Sequence, residues 1–152
     1  MPQGATGTTA ESRILRPGGL FAFSAWAPIA ANEFADAVTD ALAAAFPHDP
    51  PRFMARTPHG YHEPAVIAQH LAAAGFRRTP KMETVAFTSR AASPHIAALA
   101  YCEGTPLRGE IEARDRKGLA RATRAAAAEV ARRFGEGPIE GRIEALVVTI
   151  EA

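Results

Sequence analysis

One short stretch limits the fold more than any other. Leu20 to Trp26 reads LFAFSAW, with no charge and one hydroxyl, between Pro17-Gly18-Gly19 and Pro28. Proline cannot continue a helix, and glycine accepts backbone angles that other residues avoid, so the run is fenced by turns. A short segment that is apolar on both sides and fenced in this way reads as a strand buried on both faces. That is the pattern of a parallel sheet covered by helices. The rest of the chain must then supply the covering helices, so an α/β architecture is expected.

The following segments supply them. Asn32 is placed to cap a helix whose apolar positions, Phe34, Val38, Ala41, Leu42, Ala45 and Phe46, recur at helical spacing. Pro47, Pro50 and Pro51 end it. Pro47 to Tyr61 then shows no period, and reads as a loop of the kind that covers ligand sites. A helix is expected from His62 or Glu63, with Pro64 in its first turn and Ile67, His70, Leu71 and Ala74 on one face. Gly75 stands at the position that closes a helix, and Phe76 can fold back on the last turn. Lys81 to Thr88 alternates as a strand. Ser93-Pro94 opens a helix through Ile96, Leu99 and Ala100. A long helix is expected over roughly Asp115 to Phe134, with Leu119, Thr123, Ala126, Val130 and Phe134 inward and Gly135 as its stop. The last strand is expected over Ile143 to Ile150. Met1 to Ala10 reads as a loosely ordered or disordered start, and residues 11–152 as a single domain.

Composition narrows the function classes. The chain has 152 residues, 47% hydrophobic and 22% charged, with a net charge of +1, which suits one globular domain and gives no field to draw nucleic acid. No apolar run approaches the ~20 residues of a membrane span, and the N-terminus has no signal-peptide pattern, so neither a membrane nor secretion is expected and the cytoplasm is the default. Cys102 is the single cysteine, and reads as a small buried hydrophobe on a helix rather than a nucleophile. The five histidines, His48, His59, His62, His70 and His95, show no metal-ligand spacing, so no metal is expected. No Gly-x-Ser-x-Gly elbow is present.

Several of these residues together resemble a known family. Glu11 to Pro28, ESRILRPGGLFAFSAWAP, is similar to the centre of a class I S-adenosylmethionine-dependent methyltransferase, in which a Leu-(Arg/Lys)-Pro-Gly-Gly turn feeds the fifth strand of a seven-stranded Rossmann-like sheet. Here the turn is Leu15-Arg16-Pro17-Gly18-Gly19. The helix ending in Ala74-Gly75-Phe76 resembles the one before the family's sixth strand. The resemblance makes Met82 to Thr88 the sixth strand and Ile143 to Ile150 the seventh. Ala92 to Gly137 becomes the helical insertion of the subgroup related to quinone-biosynthesis methyltransferases. It covers nearly the whole chain from Glu11.

The resemblance implies a C-terminal half only. The family's cofactor site uses a glycine-rich turn after the first strand, an acid ending the second and a residue after the third, and no counterpart stands here. Gly4 and Gly7 are not preceded by a strand. No cofactor-binding residue is therefore assigned, and S-adenosylmethionine, though implied, is expected to bind this chain weakly or not at all. The family reading is a small-molecule methyltransferase or its truncated portion, from a misplaced start, a gene fragment or a split protein. Its partners would be a methyl acceptor and either a second copy or a complementing N-terminal half. The alternative is a non-catalytic remnant acting as a dimeric ligand-binding or interaction domain, because the strand at Leu20 would have an unpaired edge.

Ligands in such sheets bind beyond the carboxyl ends of the strands, which favours Ser24 and Trp26 for the acceptor. Phe53 and Tyr61 in the loop and Tyr101 in the insertion join them, with His59 as the candidate base. Each also has a plainer reading. Trp26 can pack under a helix, His59 can be a solvated loop residue, and His70 can sit at the edge of the core.

Overall fold

The computed structural model describes residues 15–152. The expectations for Met1 to Ala10 and for Gly4 and Gly7 lie outside these residues. The chain runs β1 (Leu20–Trp26), a 3-10 turn (Ile29–Ala31), α1 (Glu33–Ala45), α2 (Phe53–Arg56), α3 (Pro64–Ala73), β2 (Lys81–Ala91), α4 (Pro94–Cys102), α5 (Leu107–Arg114), α6 (Leu119–Phe134) and β3 (Ile139–Glu151). Among the described residues, no helix is long and apolar enough to cross a membrane.

The three strands form one sheet in the order β1-β3-β2. β3 is antiparallel to both neighbours, with Phe23 opposite Val148 and Val85 opposite Ala145. This corrects the expectation of a parallel sheet. β1 and β2 do run in the same direction, but β3 returns between them, so every adjacent pair is antiparallel.

The alternation of side chains along β3 sends its residues into two separate cores. Leu146, Val148 and Ile150 face one side and pack with Ile67 and Leu71 of α3, Phe76, and the partly buried Phe21, Phe23 and Met82. On the opposite side, at the start of β3, Ile139 joins the larger core made by α1, α4, α5 and α6. Helices therefore cover both faces of the sheet, but at opposite ends.

That arrangement explains why β1 is not buried on both faces as its composition suggested. Phe21, Phe23 and Ala25 are half-buried, whereas Leu20, Ala22, Ser24 and Trp26 are exposed. Leu20 retains 65% of its surface. Leu20 and Ala22 face a part of the sheet that no described element covers, and only Trp26, at the end of the strand, meets the loop.

Other boundaries shift for local reasons. Asn32 precedes α1, but its side chain does not cap the helix. Its Nδ2 instead donates to the Ala27 and Pro28 carbonyls at 3.4 and 3.2 Å, and its Oδ1 accepts from the Glu144 N–H at 3.2 Å. A short helix, α2, lies inside the expected loop. The expected helix over Asp115 to Phe134 starts at Leu119 and is preceded by a separate helix, α5, ending at Arg114. β2 and β3 are longer than expected because their pairing continues to Ala91 and Ile139. Ser93 caps α4 by accepting the Ile96 N–H at 3.3 Å. Gly75 closes α3 with a φ of 101°, and the Phe76 N–H reaches back to the Leu71 carbonyl at 3.2 Å.

Gly141 shows how tightly α1 sits on the sheet. A Cβ there would lie 2.7 Å from the Phe34 ring. Phe34 is itself held edge-on by Phe134, with ring centroids 5.0 Å apart. Gly141→Ala is therefore expected to lower stability by about 1–3 kcal/mol through overpacking. Urea denaturation of both proteins checks this, and equal midpoints would show that the ring can move aside.

Candidate functional site

Where coverage by the helical core stops, a cavity of about 210 Å³ opens on the sheet. Trp26, Ile143 and Ser89 line it from β1, β3 and β2. Their registers place all three on the same face, with Trp26 opposite Ala145, and Ser89 opposite Gly141. Asn32 before α1, Met54 of α2, Pro58 and His59 of the loop, and Tyr101 of α4 complete the lining. The cavity lies at the carboxyl end of β1.

His59 is held firmly, not solvated. It is 5% exposed. Its Nδ1 lies 2.9 Å from the Ala27 carbonyl, which can only accept, so Nδ1 carries the proton in the neutral ring. The same carbonyl accepts from Asn32, so the end of β1, the start of α1 and the loop meet at one oxygen. The His59 N–H donates to the Met54 carbonyl at 3.1 Å. Its carbonyl is 2.6 Å from His62 Nδ1, which donates to it. Trp26 flanks the imidazole, with ring centroids 5.9 Å apart at 44°.

Among the described residues, Nε2 of His59 has no hydrogen-bond partner, and none of their side-chain nitrogen or oxygen atoms is both fully buried and unpaired. Nε2 is therefore open to a water-sized visitor. Burial lowers the His59 pKa below the ordinary histidine value. The Ala27 hydrogen bond opposes this, and the charge of nearby His62 adds to it. The site thus presents a neutral imidazole whose free nitrogen accepts. Burial also raises the Tyr101 pKa, which keeps its phenol protonated.

The structure brings together three of the six residues singled out from the sequence: Trp26, His59 and Tyr101. Ser24 lies on the same face of β1, two residues away, and is not part of the lining. Phe53 packs against the larger core. Tyr61 joins the smaller core, where it stacks on His70 with centroids 5.6 Å apart and its hydroxyl meets His70 Nδ1 at 3.1 Å. Asn32, Met54, Pro58, Ser89 and Ile143 were not foreseen as lining. Ile143 and Ser89 carry only the alternation of their strands as a signal, and that needs the register to become informative.

Cys102 is fully buried in the larger core. Burial pushes its thiol up to about 11, with the Thr123 hydroxyl opposing and Glu103 adding to the shift, so it is not a thiolate nucleophile. Among the described residues, no group of three or more His, Cys, Asp or Glu side chains could hold a metal ion.

The lowered His59 pKa has a consequence for stability. Between its folded and unfolded values the unfolded chain binds the proton and the folded chain does not. Stability is therefore retained above about pH 6.5 and falls as the pH drops below it. His59→Asn replaces the ring with an amide that can still reach Ala27, and removes this titration. Urea midpoints measured from pH 8 to 5 are expected to fall less steeply for His59→Asn than for the parent chain. Parallel profiles would show that His59 is not the group responsible.

Compared with known proteins, the chain matches no family model and no curated protein sequence.

Proposed function

We propose that this chain is the acceptor-binding part of a class I S-adenosylmethionine-dependent methyltransferase, with the Trp26–His59–Tyr101 cavity as the acceptor site. The observation that carries this reading is a cavity at the carboxyl end of β1 that contains a buried, neutral histidine with one free nitrogen. Methyl transfer asks a protein mainly to align two reactants, and sometimes to accept a proton. Trp26 and Ile143 offer an apolar floor for an aromatic or apolar molecule. His59 Nε2 accepts a hydrogen bond from the hydroxyl or amine that is to be methylated.

The cofactor itself does not fit the residues that line this cavity. The lining contains no carboxylate to bind a ribose diol. A volume of about 210 Å³ also falls below the roughly 300–1,000 Å³ of sites for larger ligands. The cofactor would have to be held by residues other than those lining this cavity. Trp26 is the chain's single tryptophan, so its fluorescence reports directly on the site. Titration with phenol, a single-ring probe, is expected to change that emission saturably, and Ser89→Phe, which fills the cavity, should abolish the change. Calorimetric titration with S-adenosylmethionine should give no saturable heat. A linear, unsaturable response to phenol would remove the acceptor site, and a micromolar cofactor affinity would overturn the division of labour.

A second reading, an interaction domain without methyl transfer, is favoured by the edge of β1. Among the described residues β1 pairs only with β3. Edge strands usually carry lysine, proline or a bulge that discourages pairing, and LFAFSAW carries none of these. Two copies paired antiparallel about Phe23 would set each exposed Leu20 opposite a Trp26, and each Ala22 opposite a Ser24. Light scattering at micromolar concentration is expected to give a dimer or a monomer–dimer mixture. The double variant Ala22→Lys/Ser24→Lys places like charges opposite each other and should be monomeric. A parent chain that is already monomeric at these concentrations counts against self-pairing through this edge.

A further inference from the structure

The geometry points to Glu110 as the positioning residue for His59: its carboxylate, projecting from α5, fixes the turn that delivers the imidazole to the cavity. α2 has four residues, too few to persist as a helix alone. The N–H groups at its start need acceptors, and none is available within so short a turn. Glu110 Oε2 accepts the N–H of both Arg52 and Phe53, at 2.8 and 3.1 Å. Its other oxygen, Oε1, takes Nη2 of Arg56 at 2.5 Å, from the last residue of the same turn. One carboxylate thus holds both ends of α2.

The connection to the site is short. α2 carries Met54, which is buried in the larger core and also lines the cavity. The Met54 carbonyl accepts the His59 N–H, as described above. One turn further along α5, Arg114 steadies the start of the loop. Its Nε donates to the Asp49 carbonyl at 2.7 Å, and its Nη2 to Asp49 Oδ1 at 3.0 Å. Its Nη1 also donates to the Glu110 carbonyl at 2.8 Å. α5 is therefore a brace along the loop, with Glu110 as its contact nearest the site. The Glu110 side chain is only 19% exposed. Burial alone would raise its pKa, but the hydrogen bonds from Arg56 and from the Arg52 and Phe53 backbone outweigh burial, so the carboxyl stays ionised at lower pH than usual.

This assignment rests on the acceptor-site reading only for its functional meaning, and its test reads His59 itself. In the intact chain, the imidazole Cε1–H signals are followed by NMR against pH, and His59 is identified by its absence from the His59→Asn spectrum. Glu110→Ala is expected to raise the His59 titration midpoint towards about 6.5, the value of a hydrated histidine. Glu110→Gln, which keeps a carbonyl acceptor, should give a smaller rise. Glu112→Ala, on the same helix but paired, among the described residues, with exposed Arg108, should leave the midpoint unchanged. A structural role alone would lower the urea midpoint of Glu110→Ala and leave His59 titrating as in the parent, and that result overturns the assignment. If Glu110→Ala does not fold, Glu110→Gln decides by the same criterion. If phenol fails to bind while the midpoint still follows Glu110, the acceptor-site reading falls and the positioning role stands.

Discussion

The position of β3 between β1 and β2 is the constraint on which the rest of the structure depends. Its backbone is paired along both edges, so the rotation of each β3 side chain is fixed relative to two neighbours at once. A slip of one residue would exchange Leu146, Val148 and Ile150 for Ala145, Val147 and Thr149 against α3, and would turn Gly141 away from Phe34. Two cores on opposite faces therefore specify one register. Neither core spans the sheet. The larger one holds the start of β3 through α1 and α6, and the smaller one holds its end through α3. The cavity lies where the first covering stops, which is why its floor is drawn from all three strands.

Polar contacts secure the places that apolar packing does not reach. Asn32 is buried and fully satisfied, and joins the end of β1 to β3 and α1 through its three hydrogen bonds. Leaving such a group unpaired costs about 1–3 kcal/mol, so the arrangement resists rearrangement more than its net contribution suggests. On the outer side, Arg133 of α6 contacts Glu129 on its own helix and Asp36 and Asp40 of α1, at 2.6, 2.8 and 2.6 Å. Hydrogen bonds from Arg132 and Arg133 lower the Glu129 pKa to about 2. Exposed single ion pairs are worth ~0–1 kcal/mol, but a shared network with one half-buried arginine favours one angle between two helices. Glu110 applies the same logic to a loop.

Much of this was legible in the sequence where the signal is local. Gly75 closes α3, Ser93-Pro94 opens α4, and Thr123, Ala126 and Val130 lie inward on α6, because caps and helical periods belong to single segments. α5 was missed because LRGEIEAR offers only Leu107 and Ile111 as apolar anchors and contains a glycine. α2 was missed for a different reason. It is fixed by Glu110, more than fifty residues away in sequence, and no local pattern announces such a contact. β1 illustrates the reverse error. Leu20 and Trp26 look like core residues, but composition cannot distinguish a strand that is covered on both faces from one that is covered on one.

The site follows the same division between local and distant information. Trp26, His59 and Tyr101 were legible as chemistry, since a terminal strand aromatic, a loop imidazole and a helical phenol are reasonable ligand contacts anywhere. Their meeting was expected only through the family resemblance and not from any local pattern, because it requires β1, the loop and α4 to converge. Phe53 and Met54 show how fine the distinction is. They are neighbours on one helical turn, both packed against the larger core, and only Met54 also reaches the cavity. The turn that separates them is held from α5. The sheet face beyond the cavity carries exposed Leu20 and Phe87 along with Trp26. The site therefore opens at one side towards the exposed apolar Phe87 of the sheet and is closed at the other by the loop that Glu110 and Arg114 brace. A ligand entering it would meet a fixed imidazole on the braced side and a hydrophobic approach on the open one. Under the acceptor-site reading proposed above, that asymmetry would orient an amphipathic molecule with its polar end towards His59.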